Sequence, residues 1–117
     1  MYATAIESVA RVDAGELHSG VLLARTALGA IEATVGSECG IETRAYCCEA
    51  LRKGAPESAR DASMRAAAHV RKVAGHIRDP RLKALFLQRG VVDRILVEAD
   101  GYAADALLDP LTRGAGS

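Results

Sequence analysis

Hydrophobic residues recur along most of this chain at helical spacing. Leu17, Val21, Ala24, Leu28, Ile31 and Val35 are separated by 4, 3, 4, 3 and 4 positions, which places all six on one helical stripe. A shorter run over residues 2–12 carries Ala5, Ile6, Val9 and Ala10, and Asp13-Ala14-Gly15 breaks the chain between the two. A third helix is predicted from Cys39 or Ile41 to Lys53. Ile41, Ala45, Cys48 and Leu51 lie on one side of it, with Cys47 and Ala50 beside them. An element apolar around so much of its girth belongs between neighbours rather than on a surface.

Gly54-Ala55-Pro56 stops that helix, and Pro56 suits the start of the next because first-turn amides have no internal partner. The fourth helix is predicted over residues 57–78, with Ala59, Ala62, Ala66, Val70, Val73 and Ile77 inward. Asp79-Pro80 is the strongest local boundary: Asp accepts from first-turn amides and Pro presets the backbone at N1. A short fifth helix follows to about Gln88, anchored by Leu82, Leu85 and Phe86, and Arg89-Gly90 interrupts it. Val92, Ile95, Leu96 and Ala99 mark a sixth, which can continue past Gly101 through Tyr102, Ala103, Ala106 and Leu107 at a cost of about 1 kcal/mol for the glycine. Asp109-Pro110 is expected to end the ordered part. The resulting organisation is a single helical-repeat domain over 1–109, with hairpin 1 over about 2–36, hairpin 2 over about 39–78, closing helices over about 80–108, and a flexible tail over 110–117.

The two hairpins echo one another. A shift of 42 residues carries Leu17, Ala24, Leu28, Ile31 and Val35 onto Ala59, Ala66, Val70, Val73 and Ile77. Stripes of alternating 3 and 4 spacing coincide at any multiple of seven, so positions outside the stripe are more informative. Ala14-Gly15 falls on Pro56-Glu57, and Ile6 and Val9 fall on Cys48 and Leu51. Tandem helix hairpins of this kind bury their faces by stacking.

Composition sharpens the helical reading. Half of the 117 residues are hydrophobic, but alanine dominates, and Tyr2, Tyr46, Phe86 and Tyr102 are the only aromatics. Such a core is lean and closely spaced, and alanine is the strongest helix former. A single domain accommodates this length. Apolar runs are only a few residues long, and no basic stretch leads into an apolar segment at the N-terminus, so neither membrane insertion nor secretion is expected. Cys39, Cys47 and Cys48 make an odd count with an adjacent pair, a poor disulfide framework that implies reduced core thiols and a cytoplasmic location. Asn is absent and Arg outnumbers Lys, in keeping with a GC-rich bacterial coding bias.

The paired hairpins with small contact residues, followed by Ile77-Arg78-Asp79-Pro80-Arg81-Leu82-Lys83-Ala84-Leu85-Phe86-Leu87, resemble the tetratricopeptide-repeat (TPR-like) helical arrays of large bacterial signalling proteins: Ser/Thr kinases, ATPase-type transcriptional activators and nucleotide cyclases. There an Asp-Pro cap often leads a short helix with Leu and Phe anchors after the last repeat. The likeness covers about residues 37–100. The Trp, Leu-Gly and Tyr pattern of a strong repeat is missing, and the period exceeds the usual 34 residues. The resemblance implies an all-α, short, degenerate TPR-like array serving protein binding, as the C-terminal part of a larger signalling or regulatory protein. Helices one and three would line its inner wall, with Glu7, Arg11, Glu42, Arg44, Glu49 and Arg52 as polar contacts.

Motifs for chemistry are sparse. His69 and His76 lie seven residues apart, about 10.5 Å along a helix axis, too far to share a metal ion, and no His-Glu-x-x-His pattern occurs. Cys47 and Cys48 point in different directions on a helix, whereas zinc favours C-x-x-C pairs. No phosphate-cradling glycine loop, nucleophile elbow or dinucleotide fingerprint is present. The expectation is a protein without catalytic activity, cofactor or metal.

Charge is unevenly placed although it totals zero. Residues 60–94 hold nine basic and three acidic side chains, net +6, while residues 1–59 and 95–117 are each net −3. The basic block can face nucleic acid or an acidic protein, or sit against acidic helices of its own fold. A scarcity of Asn and Gln argues against a base-reading helix. The leading expectation is therefore a protein or peptide partner, or another region of the same parent chain, with Arg11, Arg44, Arg52, Arg65, Arg71 and Lys72 as polar contacts. Self-association is expected through Val92, Ile95 and Leu96, and a nucleic-acid-associated regulator using the 60–94 block is the alternative.

Overall fold

The computed structural model describes residues 2–33 and 40–116, with side-chain environments through residue 105. Every secondary-structure element among them is helical: α1 (Tyr2–Asp13), α2 (Leu17–Ala33), α3 (Gly40–Gly54), α4 (Pro56–His76), α5 (Pro80–Leu87) and α6 (Gly90–Gly116). No helix among these residues is long and apolar enough to cross a membrane.

The breaks follow from local chemistry. α1 ends in a Schellman turn, with the Glu16 amide donating to the Arg11 carbonyl at 2.9 Å and the Gly15 amide to the Val12 carbonyl at 3.0 Å. Gly15 carries a φ of +89°, the left-handed conformation that a side chain disfavours. The Asp79 carboxylate accepts from the Arg81 amide at 2.9 Å, capping α5 with Pro80 in its first turn. α4 stops at His76, two residues short of the expected end. Asp79 is extended ahead of Pro80, as the proline ring demands, and Ile77 is already extended as the C-cap. At the other end of the chain the backbone of α6 passes through Gly101 and Asp109-Pro110 as helix. Pro110 removes one ladder bond, and the expected stop there is not seen.

α3 is the centre of the fold, packed against α1, α2, α4 and α6, with eight of its residues buried. Cross-helix pairs define the directions. Tyr2 meets Tyr46 and Asp13 meets Lys53, so α1 and α3 run parallel. Arg89, just before α6, meets Glu42, and Glu98 meets Arg52, so α6 continues the same parallel layer on the other side of α3. Arg25 meets Ser58 and Glu32 meets Arg65, which makes α2 and α4 parallel in a second layer. α2 and α4 do not pack backbone to backbone; a cleft floored by α3 separates them.

Small residues bring the layers together. A Cβ on Gly20 would fall 2.3 Å from Val12 Cγ2 and 2.8 Å from the Ser8 carbonyl oxygen, so α1 and α2 touch almost at backbone distance. Ser8, fully buried there, donates its hydroxyl to the Ala5 carbonyl at 2.6 Å and leaves no polar group unmet. This contact rotates α2 relative to the expected stripe. Gly20, Val21, Ala24 and Ala27 are buried, Leu28 and Ile31 are half-buried, and Leu17 is 45% exposed. Val35, the last member of the stripe, and Cys39 lie outside the described residues. In α4, Ala59, Ala62, Ala66 and Val70 are buried as expected, while Val73 and, just past its end, Ile77 are only half-covered. α5 buries nothing fully. Of its expected anchors Phe86 packs on the core edge, whereas Leu82 and Leu85 are exposed.

Candidate functional site

Among the described residues, clefts open on opposite layers. The first, about 250 Å³, lies between α3 and α6 and is lined by Ala45, Tyr46 and Val91 with Glu42, Glu49 and Arg94 around them. It continues toward α1 through Tyr46, whose ring meets Tyr2 edge to face at 5.8 Å. Tyr2 and Ile6 of α1 remain 49% and 42% exposed, large apolar side chains left in water beside the layer. The hydrogen bond and charge of Tyr46, then partial burial and Glu42, push the Tyr2 phenol above its ordinary value.

The second cleft, about 290 Å³, lies between α2 and α4. Leu28 and Ala62 form apolar wall, Leu51 and Arg44 of α3 form the floor, and Arg25, Arg65, Glu32 and Asp61 stand at the rim. Arg65 bridges both Glu32 oxygens at 3.1 Å and reaches Asp61 at 3.0 Å.

The residues expected as partner contacts scatter over these surfaces. Arg11 turns toward the start of α2, held by Glu7 at 2.9 Å and Ser19 at 3.2 Å, on the edge of α1 away from the first cleft. Arg52 is committed to Glu98. Arg44 is a correction: it is only 8% exposed and sits under the second cleft rather than on an inner wall. Its helix is sandwiched, so a long side chain in the middle of α3 has a neighbour in nearly every direction. Arg65 stands at the rim of the same cleft, Arg71 lies 3.6 Å from Asp100, and Lys72 is exposed without an ion pair among the described residues.

Val92, Ile95 and Leu96 are a second correction. Val92 is 0% and Ile95 4% exposed and Leu96 packs against the core, because α6 lays this face on α4 and α3. They hold the closing helix to the hairpins and offer no surface to a second copy.

The basic block is similarly dispersed. Arg65, Arg71 and Arg89 face Glu32, Asp100 and Glu42, carboxylates from the acidic flanks of the sequence. Tyr46, Ala45, Val91 and Arg94, which build the first cleft, are not among the contacts that the sequence pattern predicts. Their one legible signal was Tyr46, a rare aromatic on a helix otherwise rich in small residues.

Titratable and thiol groups among the described residues give no assembled chemistry. Burial first, then Cys48, pushes the Cys47 thiol up to about 12; burial first, then Glu98, pushes Cys48 up to about 11 against a hydrogen bond with Ser63. Both are buried thiols with little thiolate character. His69 is half-buried, its Nε2 without a hydrogen-bond partner among the described residues, and burial followed by Arg44 and Lys72 lowers its pKa. No group of three His, Cys, Asp or Glu side chains among the described residues is placed to hold a metal ion. Comparison of the chain with protein-family models, with curated proteins and with solved structures finds no match.

Proposed function

We infer that this chain is a non-catalytic interaction module, a short degenerate TPR-like array that binds an extended segment of another protein in the cleft between α3 and α6. The observation that carries the reading is the cleft itself, where Tyr46, Ala45 and Val91 form an apolar strip bordered by Glu42, Glu49 and Arg94. An apolar groove with a few fixed charges suits a peptide whose side chains alternate between anchoring and solvent. Exposed Tyr2 and Ile6 extend the strip beyond the cleft.

The repeat reading draws support from burial. Under the shift of 42 residues, Ala5, Ser8, Gly20, Val21 and Ala24 correspond to Cys47, Ala50, Ala62, Ser63 and Ala66, and all ten are buried. α6 takes the place a third first-helix would occupy, parallel to α1 and α3. The nucleic-acid alternative draws on the charge of the 60–94 block, which three intramolecular ion pairs reduce.

Selection of binders from a random peptide library against the folded chain tests the reading. Selected peptides lose at least tenfold in affinity for Ala45→Arg and Val91→Glu and keep their affinity for Arg60→Glu, on the exposed side of α4. Peptides indifferent to the two cleft substitutions overturn it. A steep salt dependence of binding to single- or double-stranded oligonucleotides, lost on charge reversal at Lys72 and Arg78, favours the alternative instead.

A further inference from the structure

We propose that the cleft between α2 and α4 binds a small organic carboxylate, with Arg44 as the group that receives its charge. Arg44 is a nine-tenths buried cation whose neighbours do not satisfy it. Its Nε has no acceptor among the described residues, and Nη1 stands 4.0 Å from Glu32 Oε1, beyond hydrogen-bonding distance. Glu32 is already bridged by Arg65 through both oxygens. A buried charge without its own hydrogen-bonded partner is costly; Nε itself is closed off from solvent, and the rest of the Arg44 guanidinium, at the floor of the open cleft, is the part an anion can reach.

The charge count selects the class of anion. Among the described residues that line the cleft, Arg25, Arg44 and Arg65 face Glu32 and Asp61, a net +1. Among the described residues Arg25 meets only the Ser58 hydroxyl, at 3.0 Å. One carboxylate balances that excess, whereas a phosphate dianion overshoots it and meets two fixed carboxylates. Leu51, Ala62 and Leu28 beside Arg44 give the ligand's body an apolar wall. The volume of about 290 Å³ sits at the small end of ligand sites, which suits a free acid of several carbons better than a folded peptide segment. This site is on the opposite layer from the α3–α6 cleft and does not depend on it.

Thermal melts and arginine NMR test the proposal on the whole chain, with hexanoate and benzoate as probes and inorganic phosphate at equal ionic strength as control. At ten times its dissociation constant the acid raises Tm by roughly 5 °C. It also moves the Arg44 Nε–Hε resonance. Arg44→Met abolishes the rise. Gly29→Leu does so while leaving Arg44 in place, because Gly29 borders the cleft and a side chain there meets open space. Should Arg44→Met fail to fold, Gly29→Leu decides. No rise with either acid, the same rise in the Gly29→Leu chain, or an equal rise with phosphate overturns the proposal. So does a larger rise with a short glutamate-rich peptide than with the free acids.

Discussion

The α1–α4 block and the α5–α6 segment are both helical, yet they are held by different means. In α1–α4 the contacts are made by small residues at close range: Ala5, Ala24, Ala27, Ala50, Ala59, Ala66 and Ala67 are all at or near zero exposure, and α1 meets α2 across Gly20. The α5–α6 segment attaches through Val92, Ile95 and Ala99, a few half-buried neighbours, and side-chain ion pairs from Arg89, Glu98 and Asp100. α5 contributes no fully buried residue. Close approach of backbones is intolerant of added volume, while a face of larger side chains is intolerant of lost volume. The difference teaches which kind of substitution each region resists.

Substitutions can break that contrast. The largest effect is expected at Gly20→Val, whose added atoms meet Val12 and the Ser8 carbonyl: urea denaturation should show a loss of about 3 kcal/mol, the upper end for overpacking. A loss below about 1 kcal/mol would mean that the α1–α2 contact is more pliable than its geometry. Next comes Ile95→Ala, with a cavity cost of about 2–3 kcal/mol. Hydrogen exchange should then report lost protection in α6 while α1–α3 keep theirs; equal loss everywhere would make the two regions one cooperative unit.

Gly101→Ala should act in the opposite sense. Nothing lies within 4 Å of the added methyl, so helix propensity alone applies and α6 gains about 1 kcal/mol, read as a higher urea midpoint. The smallest effect is a pH slope from His69, at the α3–α4 contact. Its folded pKa is below the ordinary 6.5, so the unfolded chain takes up the proton first. Stability from this residue is complete above pH 6.5 and falls as pH drops from 6.5 through the folded value. Tm measured over that window should decline more steeply in the wild type than in His69→Gln, and parallel declines would remove burial, with Arg44 and Lys72, as a cause of a lowered pKa.

Legibility followed the range of the interaction. Asp13-Ala14-Gly15, Gly54-Ala55-Pro56 and Asp79-Pro80 placed the α1–α2, α3–α4 and α4–α5 breaks to a residue or two, because capping and left-handed turns involve neighbours in sequence. Leu17, Leu82 and Leu85 are exposed against expectation for the converse reason: periodicity places a residue on a stripe but cannot say whether a neighbouring helix covers that stripe. Val92 and Ile95 suffered the reverse error, apolar residues assigned to an outer surface that α4 already occupies. The candidate site was mostly illegible. Its cleft joins positions 42–49 to positions 90–94, and no local pattern links them.

What the amino-acid order alone determined is the all-helical class, the helix breaks, the alanine-lined hairpins and the segregation of charge into a basic block with acidic flanks. These rest on backbone propensity, turn chemistry and composition, each acting over a few residues. Only the tertiary structure decided that α6 joins α1 and α3 as a third parallel helix and that Arg65, Arg71 and Arg89 spend much of their charge on Glu32, Asp100 and Glu42. It alone left Arg44 buried with an unmet donor beneath a cleft. Such outcomes depend on which helix faces come within a side chain's length of one another, a matter of packing that residues 30 to 50 positions apart settle together.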